Sequence, residues 1–364
     1  MKKILLICTQ SNQVCGFRKA LIEKFQALGA KVSVIAFDNE READIKNMGV
    51  EFFLVSASNR SLNPFQLFSL QKQCVKIIKE VQPDVVFTFM LKPNTIGVLS
   101  ARQAGVKEIY SMVEGAGDVF INNSLKWKLI RLFVCGLYKI AFSKAKNIFF
   151  LNKEDEAEFV QRKLVKKEQC VRINGIGIDL NHFTQKSITS KQSFLMVARL
   201  MKTKGVFEYC QAARIVKQKY PEARFSYLGG EGALRLADIQ EYIDDNTITY
   251  LGTAKDVRPV LEACTVYVLP SYREGFPVSV MEAAATGRGL LVSDCPGCNA
   301  AVIDGYNGFQ IKTREIGALA EKMCYFIENP KAAIEMGNNA RKFAEENFDQ
   351  EKINSFICKM IGLI

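Results

Sequence analysis

The stretch Val266-Tyr-Val-Leu-Pro-Ser-Tyr-Arg-Glu-Gly-Phe-Pro-Val-Ser-Val-Met-Glu-Ala-Ala-Ala-Thr-Gly287 reads as a buried strand, a loop and the start of a helix. The apolar run 266–269 ends at Pro270, Glu274-Gly275 makes a loop, and residues 278–285 begin a helix carrying Glu282. The first turn of such a helix has N–H groups without intrahelical partners and the positive end of the helix dipole, a setting suited to a phosphate or to sugar hydroxyls. Glu282, one turn further in, is placed to accept hydrogen bonds from a ribose. An isolated pair such as Glu274 and Glu282 is more often a pair of solvated charges, so its meaning depends on the pattern around it.

That pattern is a strand, a loop and a helix repeated along the chain. Both halves open this way, at residues 4–8 before 10–16 and at 194–197 before 199–205. Further β-rich runs alternate with helical stretches at 32–37, 52–55, 85–89, 109–113 and 148–151, then at 225–228, 248–251, 266–269 and 290–293. The alternation predicts parallel sheets covered on both faces, twice over. The expected fold class is α/β, with two doubly wound, Rossmann-like domains facing a cleft where ligands meet the carboxyl ends of the strands. The polar stretch 184–192, rich in Ser, Thr and Lys, is the expected linker between domains 1–183 and 193–340. Residues 331–364 read as helix, and the segment 341–364 is expected as a terminal helix able to return to the first domain.

Composition narrows the class further. The 364 residues are 48% hydrophobic and 24% charged, which excludes global disorder and collagen-like architecture. No apolar run approaches the roughly 20 residues of a bilayer span. The Lys2-Lys3 start resembles the basic region of a signal peptide, but the apolar run 4–8 is too short to continue one, so a cytoplasmic location is expected. Eleven cysteines, several in apolar runs (Cys8, Cys74, Cys135, Cys264), fit buried thiols better than a disulfide framework. Cys295-Pro-Gly-Cys298 is the one CxxC and His182 the one histidine, too few ligands for zinc. The net charge of +11 divides unevenly, +10 over residues 1–183 and +1 over 184–364.

Several further segments are informative together: Leu91-Lys-Pro-Asn-Thr-Ile-Gly-Val98, Gly175-Ile-Gly-Ile-Asp179 followed by Phe183, Val197-Ala-Arg-Leu-Met-Lys-Thr-Lys-Gly205, Ser293-Asp-Cys-Pro-Gly-Cys298 and Ser61-Leu-Asn-Pro-Phe65. With the stretch quoted first, they resemble family 4 glycosyltransferases. The branch is that of capsular-polysaccharide and bacterial N-linked-glycan enzymes, N-acetylgalactosaminyltransferases among them, which retain anomeric configuration and have the GT-B fold. The resemblance implies that Glu274 contacts the donor sugar and Glu282 the nucleotide ribose, with Gly275, Phe276, Pro277 and Val278 forming the donor-binding turn. It also implies that Arg199 and Lys204 grip the diphosphate. Two cations at a strand end neutralise a leaving pyrophosphate in any case, and no metal cofactor is expected beside them. By the same resemblance Gly230 lies near the nucleotide, Leu251 beside the base, and the loop at Gly16 near the phosphates or sugar.

The chain departs from the family pattern twice. Glu114, in Met112-Val-Glu-Gly-Ala-Gly117, stands where many relatives carry a histidine near the donor sugar, and it is expected to take a related polar role. Ala300 replaces a family glutamate. His182, in a turn beside Asn181 and Phe183, is expected to be structural.

Residues 124–146, Ser-Leu-Lys-Trp-Lys-Leu-Ile-Arg-Leu-Phe-Val-Cys-Gly-Leu-Tyr-Lys-Ile-Ala-Phe-Ser-Lys-Ala-Lys, interleave cations with bulky apolar groups and hold no acid. A basic amphipathic helix of this kind suits the inner face of an anionic membrane. The alternative is an ordinary core helix with solvated lysines. The resemblance implies a UDP-sugar donor and a polyprenyl-diphosphate-linked saccharide as acceptor, itself anionic and membrane-anchored. No nucleic-acid-binding signature accompanies the positive charge, so nucleic acid is not an expected partner. The rival readings are a nucleotide-sugar epimerase and a non-catalytic subunit of a polysaccharide assembly complex.

Overall fold

A computed structural model describes residues 1–56, 63–121, 124–188 and 192–364. Ser61 and Leu62 of the segment compared above, and residues 189–191 of the expected linker, lie outside the described residues.

The chain forms two compact units, Met1–Ile173 with Glu351–Ile364, and Asn174–Gln350. Unit 1 is built on a parallel sheet in the order β3-β2-β1-β4-β5-β6-β7. Its strands are β1 (Lys3–Ile7), β2 (Lys31–Ala36), β3 (Glu51–Leu54), β4 (Val85–Phe89), β5 (Glu108–Val113), β6 (Asn147–Phe150) and β7 (Cys170–Arg172). Helices α1 (Lys19–Ala27), α2 (Glu42–Asn47), α3 (Pro64–Val81), α4 (Val98–Gln103), α5 (Leu125–Phe142) and α6 (Lys153–Gln161) connect them. Every residue of β4 is buried, as expected of a parallel strand covered on both faces. Leu67, Leu70 and Cys74 of α3, Val98 and Ala101 of α4, and Val134, Tyr138 and Ala141 of α5 share one apolar cluster with Val86, Ile109 and Ile148 of the sheet.

Unit 2 repeats the design with the order β10-β9-β8-β11-β12-β13. The strands are β8 (Ser193–Val197), β9 (Arg224–Leu228), β10 (Thr249–Tyr250), β11 (Val266–Leu269), β12 (Gly289–Ser293) and β13 (Gly308–Ile311). The helices are α7 (Val206–Lys219), α8 (Gln240–Asp244), α9 (Arg258–Glu262), α10 (Val278–Ala285), α11 (Ile316–Glu328) and α12 (Pro330–Asn347), and the chain ends with α13 (Gln350–Met360), which from Glu351 on belongs to unit 1. In both sheets the order reverses beside the first strand, between β1 and β4 and between β8 and β11. Ligands of doubly wound sheets bind outside the carboxyl ends at that point. The loops after β1, β8 and β11 therefore occupy the favoured positions.

The C-terminal stretch is two helices rather than one. Between α12 and α13, Phe348 turns inward onto Phe276, ring centroids 5.4 Å apart, and its carbonyl accepts from the Ile178 N–H at 2.7 Å. Helix α13 then joins unit 1, where Glu351 pairs with Lys24 and the Gly362 carbonyl accepts from Lys2 Nζ at 2.7 Å. The chain changes unit at Ile173–Asn174 and at Gln350–Glu351.

Candidate active site

In unit 2 the segment after β8 is tied to the loop after β9. Ala198 N donates to Leu228 O at 3.0 Å and Leu200 N to Gly230 O at 2.9 Å. A 3₁₀ turn, Lys202–Lys204, follows and ends at Gly205 with φ 75°. A Cβ at Gly205 would lie 2.1 Å from the Pro270 carbonyl oxygen, so only glycine lets the start of α7 approach the end of β11. Tyr272 N donates to Thr203 O at 2.9 Å and fastens the two loops together.

This stitching brings Lys204 to Glu274. Lys204 Nζ donates to both carboxylate oxygens, at 2.6 and 2.7 Å, and Ser271 Oγ donates to Oε1 at 2.7 Å. From the other side Glu274 N donates to Pro296 O at 2.9 Å. A Cβ on Gly297 would come within 2.5 Å of the Glu274 carbonyl oxygen, which explains a glycine in the Cys295–Cys298 turn. Segments following β8, β11 and β12 thus fix this one ion pair. Cys295 and Cys298 are buried free thiols. A hydrogen bond donated by the Cys298 thiol to Cys295, together with burial, holds it well above its usual range.

Gly275 leads to Phe276, which is buried, and Pro277 is the extended residue before α10. The N–H groups of Val278 and Ser279 precede the first hydrogen bond of the helix and point outward from its end. Tyr267 OH donates to Ser279 Oγ at 2.6 Å and anchors the first turn. Glu282, half-buried, makes no side-chain hydrogen bond to another described residue. Burial, with Asp256 adding to it, pushes its carboxyl up to about 7. Arg199 is exposed and has no ion-pair partner among the described residues. Leu251 follows β10 and is 40% exposed, with its N–H donated to Tyr227 O at 2.8 Å. One rim of unit 2 thus carries Arg199, Lys204, Gly230, Leu251, Glu274 and the turn Gly275, Phe276, Pro277 and Val278, with Glu282 a turn down the helix.

Gly16 and Glu114 stand on the corresponding rim of unit 1. Gly16 is exposed in the π-helical turn Val14–Arg18 that follows β1. Glu114, directly after β5, is ion-paired with Arg18, a residue missed in the sequence reading. Arg18 is 4% exposed, its guanidinium 4.3 Å from the centre of the Phe89 ring, and its Nη2 3.5 Å from Met112 Sδ. Burial pushes the guanidinium down to about 9, so it keeps its charge at neutral pH. Asn94 Nδ2 donates to Met112 O at 2.7 Å, and Thr88 Oγ1 donates to Asn94 Oδ1 at 2.7 Å, which fixes the end of β5 from which Glu114 projects. His182 sits in a turn closed by its N–H and that of Asn181 donating to Asp179 Oδ1.

Comparison with known proteins gives two family matches. Residues 178–343 match the model for glycosyl transferases group 1, and residues 3–152 match that for glycosyl transferase 4-like domains. The chain is 32% identical over 342 residues to the N,N'-diacetylbacillosaminyl-diphospho-undecaprenol alpha-1,3-N-acetylgalactosaminyltransferase of Campylobacter jejuni, covering 90% of each. It is 24% identical to the UDP-Gal:alpha-D-GlcNAc-diphosphoundecaprenol alpha-1,3-galactosyltransferase of Escherichia coli, covering 92% of this chain and 90% of that one. Among solved structures, Anabaena Alr3699/HepE in complex with UDP is similar with a TM-score of 0.80 and 18% identity, each chain covered fully. Sucrose-phosphate synthase from Thermosynechococcus elongatus is similar with a TM-score of 0.81, also at 18% identity, with 99% of this chain and 98% of that one covered.

Proposed function

We propose that this chain, which belongs to the glycosyl transferases group 1 family and has the GT-B fold, transfers a sugar from a UDP-sugar to a polyprenyl-diphosphate-linked saccharide with retention of anomeric configuration. It is a glycosyltransferase of polysaccharide assembly, a hexosyl or N-acetylhexosaminyl transferase. The lipid-linked acceptor and the N-acetylhexosamine or hexose donor are supported by the names of the Campylobacter and Escherichia relatives. The retaining, family 4 reading is supported by the Glu274 and Glu282 spacing with Arg199 and Lys204.

The observation that carries the proposal is the Lys204–Glu274 pair on the rim beside the first turn of α10. A donor diphosphate placed there meets Lys204, Arg199 and the N–H groups of Val278 and Ser279. Its developing charge at departure is absorbed by groups already in position. Glu274, held by Lys204 and Ser271, presents a carboxylate that accepts hydrogen bonds from the sugar hydroxyls. The same two partners draw on its lone pairs and make it a poor covalent nucleophile. Retention then proceeds on one face: the acceptor hydroxyl arrives on the side from which the diphosphate leaves, and the leaving phosphate oxygen takes its proton. Glu282 receives the ribose hydroxyls. On unit 1, Glu114 offers a hydrogen-bond acceptor through the oxygen that Arg18 leaves uncovered. Electrostatic stabilisation by these groups does the work without a metal cofactor in this reading.

The acceptor resides in a membrane, and α5 (Leu125–Phe142), with no acidic residue, is the docking helix for its anionic inner face. No helix among the described residues is long and apolar enough to cross a membrane. The test of the proposal is a screen of UDP-sugars against a polyprenyl-diphosphate saccharide, with mass spectrometry for transfer and NMR of the product anomeric proton for stereochemistry. Transfer with retained configuration is expected. UDP-sugar conversion without acceptor, or an inverted product, overturns it.

A further inference from the structure

Helix α5 is apolar on two faces. Val134, Tyr138, Ala141 and Phe142 are buried against the sheet, whereas Leu125, Leu129, Leu132, Phe133 and Ile140 lie along the opposite, solvent-facing side. Leu125 is 76% exposed and Leu132 73%. Helix α3 shows a shorter version of the same pattern. Phe65 is 86% exposed and Phe68 58%, and the same face continues with exposed Lys72, Lys76 and Lys79. Lys72 Nζ sits 4.6 Å from the centre of the Phe68 ring.

The topology places these two surfaces together. Both helices are crossovers that contribute buried residues to one cluster on one face of the sheet. Both pack against α4 and the turn Pro93–Gly97, so they flank the same central element. Each precedes a strand of a parallel sheet, β4 and β6, so each starts beyond the carboxyl ends of the strands. Phe65 and Leu125 therefore stand at the same end of one helical layer, separated by about 20 Å at two helix spacings.

The charge on this layer is mainly positive, with Glu80 near the end of α3 the one acidic residue on the two helices. Lys72 and Lys76 on α3, and Lys126, Lys128 and Lys139 on α5, are exposed and have no ion-pair partner among the described residues. Beside the α5 stripe a cleft of about 380 Å³ is lined by Lys128, Arg131, Leu132, Cys135, Arg162 and Leu164. Arg162 is paired with Glu158, and Lys128 and Arg131 beside it over an apolar floor suit the phosphate of a lipid headgroup.

We propose that α3 and α5 form a two-point contact surface for an anionic phospholipid bilayer, with Phe65 and Phe68 as a second insertion point beside the length of α5. This rests on the reading that α5 is the docking helix, and it adds orientation. One helix lying on a surface leaves the protein free to roll about that helix. A second point about 20 Å away stops the rolling and keeps the carboxyl-end rim of unit 1 at the bilayer, where a lipid-linked acceptor is presented.

The test is co-sedimentation of the full chain with phosphatidylglycerol–phosphatidylcholine vesicles and with phosphatidylcholine vesicles alone. Phe65→Ser with Phe68→Ser should lower partitioning onto the anionic vesicles about tenfold, and Leu129→Ser with Leu132→Ser at least as much. Turnover of a short-chain, water-soluble acceptor by the Phe65/Phe68 variant should stay at the parent level, showing an intact fold. Loss with the Leu129/Leu132 variant and none with the Phe65/Phe68 variant overturns the two-point surface and leaves α5 docking standing. Parent-level binding by both variants rejects the surface and the α5 reading together. Equal binding of the parent to neutral vesicles overturns the charge assignment. A concentration-dependent dimer in sedimentation velocity, abolished by Leu129→Ser with Leu132→Ser and unaccompanied by vesicle binding, makes the face a subunit interface instead.

Discussion

Lys204 Nζ lies 2.6 and 2.7 Å from the two carboxylate oxygens of Glu274, so the cation assigned to the diphosphate and the carboxylate assigned to the sugar are each other's partner before a donor arrives. The pair holds both groups at the rim in one geometry, and a donor bound as proposed bridges them instead of recruiting each separately. Lys204→Ala should lower kcat/KM by roughly 100- to 1000-fold, about 3–4 kcal/mol of transition-state stabilisation. The double variant with Glu274→Gln should lose less than the sum of the single losses, because each single change already breaks the shared contact. Steady-state transfer to the lipid-linked acceptor measures both. Additive losses would mean that the two residues act independently.

The pair on unit 1 is asymmetric, and its two halves should fail differently. The Arg18 side chain is 5% exposed and that of Glu114 22%. Arg18→Met removes the cation, fills much of its space and leaves Glu114 able to turn to water. Glu114→Ala leaves a guanidinium enclosed by Phe89 and Met112 with no counter-charge. Removing one partner of a buried pair costs about 3–5 kcal/mol when the other is trapped. Urea denaturation should therefore show Glu114→Ala to be the more destabilised variant by roughly 1–3 kcal/mol. The reverse order would show that Arg18 has an escape route to solvent.

The fold was legible where burial leaves a one-dimensional trace. Strands β4 and β11 are covered on both faces and read as β-rich runs, apolar but for Thr88 in β4, and helix α10 begins at Val278 as the Pro277 boundary suggests. Strand β7 is a three-residue, half-exposed edge, and β13 follows a loop without an apolar run of its own, so neither announced itself. The carboxylates and cations of unit 2 were legible because spacing along a strand–loop–helix unit places them on one rim. Arg18 was not, because a cation in an otherwise ordinary helical stretch becomes buried only when β4 and β5 close over it. The break at Phe348 was hidden for the same reason: its partners, Phe276 and Ile178, are remote in sequence.

The contact of Gly205 with Pro270 predicts a sharp limit on substitution. Gly205→Ala adds a Cβ that would lie 2.1 Å from the Pro270 carbonyl oxygen, at a residue whose φ of 75° already disfavours alanine. Relief requires the start of α7 to move away from β11, which pulls Lys204 from Glu274. A loss of roughly 2–4 kcal/mol in stability is expected in thermal or urea unfolding, with activity falling further than the stability loss alone would cause. A variant as stable and active as the parent would show that this loop contact is dispensable.

With the ribose at Glu282, as proposed, donor binding is linked to protons, and the sign follows from its position. Burial raises its folded-state pKa to about 7 from an ordinary 4.5, with Asp256 adding to the shift. Below pH 4.5 both folded and unfolded chains hold the proton and the group contributes no difference. Between about 4.5 and 7 the unfolded chain releases it first, so this group costs the fold stability as pH rises, up to about 3 kcal/mol above pH 7. Glu282→Gln removes that cost: unfolding at pH 8 should show the variant stabilised relative to the parent, and the gap should close toward pH 4.5. A pH-independent gap would reject the burial argument. Ribose hydroxyls donating to the carboxylate favour its charged form, so UDP binding at pH 6 should expel a proton from the parent and weaken as pH falls. Calorimetry at pH 6 in two buffers of different ionisation enthalpy reads that proton directly, and Glu282→Gln should abolish its release. Proton release that persists in the variant would assign the linkage to another group and remove Glu282 from the ribose.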